Sequence, residues 1–101
     1  MMYDAKFTFK AKVWLYAGDS AWHFVSVPVK IAKQIKSLYA GLERGWGSFP
    51  VVVTIGTTTW KTSIFPDKKT GTFLLPIKAE VRKKENISVG KTVSIAISVC
   101  I

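Results

Sequence analysis

Reactive side chains are scarce in this sequence. Its 101 residues include one cysteine, Cys100, and one histidine, His23. A lone cysteine excludes an intrachain disulfide and suits a reducing compartment. One cysteine and one histidine cannot supply the clustered ligands of a zinc or iron site, so neither a metal nor a cofactor is expected. Acids are few: Asp4, Asp19, Glu43, Asp67, Glu80 and Glu85. Most fall in turns or on helix faces, a poor arrangement for paired-carboxylate chemistry, which needs two acids a few ångströms apart. Long apolar runs are missing too. The longest uncharged stretch, 45–60, has 16 residues broken by three glycines and a proline, too short and too interrupted to span a bilayer. "MMYDAKFTFK" carries charge where a secretion signal would be apolar. A soluble, cytoplasmic protein without membrane contact is the expectation.

These absences also thin out catalysis. His23 lies between Trp22 and Phe24, and no motif sets a nucleophile beside it, so a packed or surface strand histidine is the simpler role. Cys100, near the end of an apolar strand, reads as a small apolar filler. "RGWG" is neither a P-loop nor a dinucleotide fingerprint. No catalytic residue is assigned, and the chain reads as a non-enzymatic binding module for a small ligand or a protein, as a monomer or weak dimer.

What the chain has in excess is positive charge: 15 basic against six acidic residues, a net +9. Such an excess favours nucleic acid, acidic proteins or membrane surfaces. Thirteen of the fifteen are lysines, however, and they are scattered. Arginine is the better bidentate phosphate ligand. Solvated faces are therefore preferred, with a basic nucleic-acid-binding domain as the alternative.

At this length the chain reads as a single domain spanning 1–101, able to bury about 65% of its unfolded surface. "YDAKFTFKAKVWLY" alternates, with Ala5, Phe7, Phe9, Ala11, Val13 and Leu15 on one face, which predicts an unbroken strand. A turn at "AGDS" and a return strand at "AWHFVSV" complete a hairpin. Pro28 opens a helix whose stripe is Ile31, Ile35, Leu38 and Leu42. "ERGWGSFP" is a loop, and "VVVTI" is a strand buried on both faces. "TTTWKTSIF" and "TFLL" form a second hairpin around "PDKKTG". Pro76 then opens a short helix stabilised by a Glu80–Lys84 pair, with Ile77 and Val81 inward and Asn86 at its end. "KTVSIAISVCI" closes the chain, with Val93, Ile95, Ile97, Val99 and Ile101 inward.

The order strand, strand, proline-led helix, strand occurs twice, and "VPVKIA" at 27–32 matches "LPIKAE" at 75–80. The expected fold is mainly β with two short helices: a small six-stranded β-barrel with a pseudo-twofold internal repeat, closed so that no edge is exposed.

"AWHFVSVP", "TIGTTTWKTSIFPD" and "LLPIKAEVRKKENISVGKTVSI" together resemble a prokaryotic family known only as a domain of unknown function, found alone or joined to a bacteriocin-protection, OmpD-associated domain. The resemblance implies a small β-barrel, no assigned activity and, since it takes up nearly the whole chain, the stand-alone form. The last stretch also resembles, more distantly, the AbrB-like swapped-hairpin fold. Val81, Arg82, Lys83, Ile87 and Gly90 match its pattern. Lys91 stands where that pattern has Asp, Glu85 where it has an apolar residue, and two additional residues follow Pro76.

Four tryptophans, Trp14, Trp22, Trp46 and Trp60, are many for this length. They are read first as plugs of the barrel ends or supports for the helices, and second as a stacking platform for a base or planar ligand. The basic helix reads first as a solvated face. The candidate binding residues are Trp22, His23, Trp60, Lys61, Arg82 and Lys83.

Overall fold

The computed structural model describes residues 5–16 and 21–100. Among them the elements run β1 (Lys6–Lys12), β2 (Trp14–Leu15), β3 (His23–Ser26), α1 (Val29–Leu38), a 3₁₀ turn at Gly45–Gly47, β4 (Phe49–Ile55), β5 (Thr58–Asp67), β6 (Thr72–Pro76), α2 (Ala79–Lys84) and β7 (Thr92–Val99). The seven strands form one antiparallel sheet in the order β1-β7-β4-β5-β6-β3-β2, curled into a half-barrel.

The closed six-stranded barrel expected from the sequence is not what forms; the sheet is a half-barrel, and a break at Val13 raises its strand count. The first strand breaks there. The Val13 N–H donates to the Lys91 carbonyl at 3.0 Å, and its own carbonyl accepts the Gly90 N–H at 2.8 Å. Residues before it pair with β7, from Lys6↔Ser98 to Lys12↔Thr92. The two after it pair with β3, as Trp14↔Phe24 and Leu15↔His23. β1 and β2 therefore stand at opposite ends of the ladder, and the strand count is seven. The first hairpin shrinks to those two pairs; its expected turn at 17–20, Asp4 and Ile101 lie outside the described residues. Leu15, expected inward, is exposed beyond the break.

Alternation sets the core. Phe7, Val51, Val53, Ile55, Ile64, Phe73, Leu75, Val93, Ile95, Ile97 and Val99 are buried, each contributing about 1.5–3 kcal/mol if fully removed from water. β4 shows the same period: Val51, Val53 and Ile55 are buried while Val52 and Thr54 are half-buried, so the strand has one core face and not two. The strand also begins earlier than expected, at Phe49; Pro50 faces away from β5, so its missing N–H leaves that ladder intact, and its carbonyl takes the Cys100 N–H at 2.8 Å.

α1 turns a different stripe inward from the one expected. Ala32, Ile35 and Tyr39 are buried, Ile31 packs at their edge, and Leu38 and Leu42 are exposed. Tyr39 wins the inward position by stacking toward Phe49, centroids 6.2 Å apart, which in turn meets Phe73 edge-on at 5.7 Å. Pro28 is the N-cap of α1. Pro76, by contrast, is the last residue of β6 and not the opening of α2, whose N-cap is Lys78. Ile77 and Val81 are buried as expected, and Asn86 takes the left-handed conformation, φ 55°. Glu80 lies 3.6 Å from Lys78, on the opposite side from the Lys84 partner expected for it.

Candidate ligand-binding cleft

The backbone of β6 explains where the surface opens. The Val27 N–H donates to the Phe73 carbonyl and the Ile77 N–H to the His23 carbonyl. In an antiparallel ladder a residue's N–H and C=O point to the same neighbour, and successive residues alternate. The odd residues of β6 thus serve β3, which leaves Thr72, Leu74 and Pro76 facing β5. Pairing with β5 runs Asp67↔Thr72, Pro66↔Phe73 and Phe65↔Leu74, then stops. The next β6 residue that should donate to β5 is Pro76, which has no N–H. Continued register would set Ser63 against Pro76, Thr62 against Ile77 and Lys61 against Lys78. Instead the strands part, and β6 turns into α2.

A cleft of about 420 Å³ occupies that parting, within the range of small-ligand sites. Trp60, Lys61, Thr62 and Phe65 of β5 form one side. Pro76, Ile77, Lys78 and Arg82 form the other, and Ala21, Trp22 and His23 close the end. Five of the six residues singled out from the sequence, Trp22, His23, Trp60, Lys61 and Arg82, thus lie together. Lys83 does not. It is exposed on α2 and turned away from the lining.

Arg82 is held before any ligand arrives. Its Nε donates to the Ile77 carbonyl at 3.1 Å, and Nη1 donates to His23 Nε2 at 3.4 Å. A guanidinium has only donors, so His23 Nε2 accepts, and His23 Nδ1–H donates to the Ala21 carbonyl at 2.8 Å. His23 is therefore neutral in this arrangement, in the Nδ1–H tautomer, and it orients the arginine. The cleft has three cationic side chains, Lys61, Lys78 and Arg82, and none of its lining residues is Asp or Glu. Among the described residues no carboxylate lies within ion-pair distance of Arg82.

The aromatic walls are divided in role. Trp60 is buried, and Trp14 is half-buried with its Nε1–H on Ser26 Oγ at 3.1 Å; both pack the fold. Trp22 is 53% exposed and stacks on Phe24, centroids 5.9 Å apart and planes 9° apart. Trp46 is 93% exposed. Two of the four tryptophans are thus packed into the sheet and two are exposed. Phe65 was missed in the sequence and links the hollows. It lines the cleft, a second hollow with Tyr16, Trp22 and Phe24, and a third with Trp46, Pro66 and Lys68. Its signal was phase: with Trp60 and Ile64 inward, an aromatic at 65 points out.

Among the described residues no three His, Cys, Asp or Glu side chains converge, and no helix is long and apolar enough to cross a membrane. Residues 9–97 match the family model described as "Domain of unknown function (DUF1905)". The chain belongs to this family. The DUF1905 match takes in β3, β5, β6 and α2, and so every residue that lines the cleft. A comparison with curated proteins finds no match.

Proposed function

We propose that this DUF1905 domain is a non-enzymatic binding module and that the cleft between β5 and α2 holds its ligand. The observation that carries the reading is Arg82, braced by Ile77 and His23, without an acidic partner, in a cleft walled by Trp22, Trp60 and Phe65. Structural arginines usually end on a carboxylate; one oriented by neutral acceptors beside an apolar wall is arranged for an incoming anion. A reducing, cytoplasmic setting fits the single thiol.

Amide chemical-shift mapping with a panel of small aromatic acids and short peptides tests this. Shifts clustered on Trp22, Lys61 and Arg82 are expected. Shifts confined to the β1–β7 face, or a His23→Ala variant that loses a measurable turnover while keeping its melting temperature, would overturn it.

Trp46 favours a second reading, contact with single-stranded nucleic acid in the manner of a basic, AbrB-like regulatory domain. It is fully presented to solvent at φ 65°, beside Lys68. Base stacking on an exposed aromatic contributes about 1–3 kcal/mol per base. Binding of a mixed-sequence single strand would then fall steeply with salt. The dispersed lysines argue for the first reading. The recurring order of two strands, helix and strand supports a pseudo-twofold internal repeat, although α1 has ten residues and α2 six.

A further inference from the structure

Parity along β5 identifies what the cleft offers besides side chains. Thr72 and Leu74 face β5, so their partners Asp67 and Phe65 face β6, and so do the other odd residues of β5. The even residues, Trp60, Thr62 and Ile64, face β4, where Val53, Val51 and Phe49 stand opposite them. Pro50 sits opposite Ser63, where no bond to β5 is required of it. The N–H and C=O groups of Lys61 and the C=O of Ser63 therefore point toward the cleft; among the described residues no strand pairs with Lys61, and no N–H of β6 stands opposite the Ser63 carbonyl. Buried or half-buried backbone groups ordinarily find partners. Opposite Ser63 the residue that would have donated is a proline, and opposite Lys61 the chain has already turned into α2 at Lys78.

We propose that the cleft receives an extended acidic peptide segment, which adds as a strand to the edge of β5 at Lys61 and Ser63 and places a carboxylate on Arg82. This rests on the cleft being the binding site. This edge offers one donor and two acceptors, the recurring basis of strand addition, while side-chain pockets supply selectivity. The charge around the edge selects the sign: Lys61, Lys78 and Arg82 flank it with no acid in the lining. It also selects against a second copy of this chain, since each copy carries +9 and a lysine on an open edge discourages self-pairing.

The test begins with selection from a pool of randomised, end-blocked hexapeptides on the full chain. Enrichment of Asp and Glu is expected. Enriched peptides should shift the Lys61 and Ser63 amides and slow hydrogen exchange at Lys61. N-methylation of the peptide amide that meets β5 should weaken binding about tenfold, as the loss of a well-made hydrogen bond in a dry site does. Arg82→Ala should weaken it by a similar factor. Lys61→Pro should do the same without touching the bonds to β4, which keeps the test independent of any folding defect from Arg82→Ala. Three results would overturn the proposal: no peptide enriched, full affinity after N-methylation at every position, or preference for a mixed-sequence single-stranded oligonucleotide. A small aromatic acid such as indole acetate, shifting Trp22 and Arg82 while Lys61 and Ser63 stay still, would keep the cleft and remove strand addition. If neither peptides nor aromatic acids move any cleft residue, both readings fall.

Discussion

Pro76 stands opposite Ser63 in the register that pairs β5 with β6, and the ladder ends one step short of it, at Phe65 and Leu74. The missing N–H of one residue thus decides where a sheet opens. Everything proposed for this chain follows from that gap: the cleft, its arginine and its unpaired backbone.

Restoring the donor should therefore close the cleft. Pro76→Val supplies an N–H for the Ser63 carbonyl and allows the ladder to run further. The expected result is a protected amide at position 76, a gain of about 0.5–1.5 kcal/mol in stability and weaker ligand binding. A freely exchanging amide there would mean that something other than the proline parts the strands.

The inward face is tested by charge. Val13 and Ile95 are 1% and 2% exposed. An unpaired carboxylate at either place costs several kcal/mol, a large part of a domain's total stability. Val13→Asp and Ile95→Asp should both be unfolded by circular dichroism at room temperature. A cooperative melt near the parent's would contradict the burial pattern.

A local coupling ties the β4–β5 turn to the end of α2. The Glu85 carboxylate accepts the Thr58 hydroxyl at 2.5 Å and the Thr57 hydroxyl at 3.4 Å, and it rests against Gly56, whose φ is 58°. A Cβ at Gly56 would meet that carboxylate and also adopt a left-handed conformation, which costs about 1–2 kcal/mol for a residue with a side chain. Gly56→Ala should cost more than about 2 kcal/mol in the parent and only about 1 kcal/mol in a Glu85→Ala background. Denaturant titration of the four variants measures the coupling; strictly additive costs would contradict it.

Trp46 carries strain that packing does not explain, being a bulky residue at positive φ and almost wholly exposed. Trp46→Gly should leave the fold intact and raise stability by about 1 kcal/mol, as thermal melts would register. A loss of stability would show that the side chain packs in solution.

Much of this was legible in the residues. The inward sets of β1 and β7, the second hairpin and the burial of Ile77 and Val81 followed from period alone. Trp22, His23, Trp60, Lys61 and Arg82 were singled out separately, by residue type, and the fold brings them to one place. Lys83 was chosen for its charge beside Arg82, but one step along a helix is a turn of about 100°, which carries it out of the lining. The stripe of α1 was misjudged because Leu38 and Leu42 match the helical period as well as Ala32 and Tyr39 do; the aromatic contact with Phe49 breaks the tie and is not local. Val13 gave no warning of a strand break, since the bonds that cause it go to Gly90 and Lys91, far along the chain. The cleft itself needed two facts at once: that β5 and β6 pair, and that Pro76 is the residue turned toward β5.

The most direct measurement is native-state amide hydrogen exchange along 60–64. If β5 has one paired and one free edge there, protection must alternate. Trp60, Thr62 and Ile64, facing β4, should exchange slowly, and Lys61, facing the cleft, should exchange faster by orders of magnitude. Uniform slow exchange through all five would mean the edge is already paired, and the cleft would have no backbone to offer.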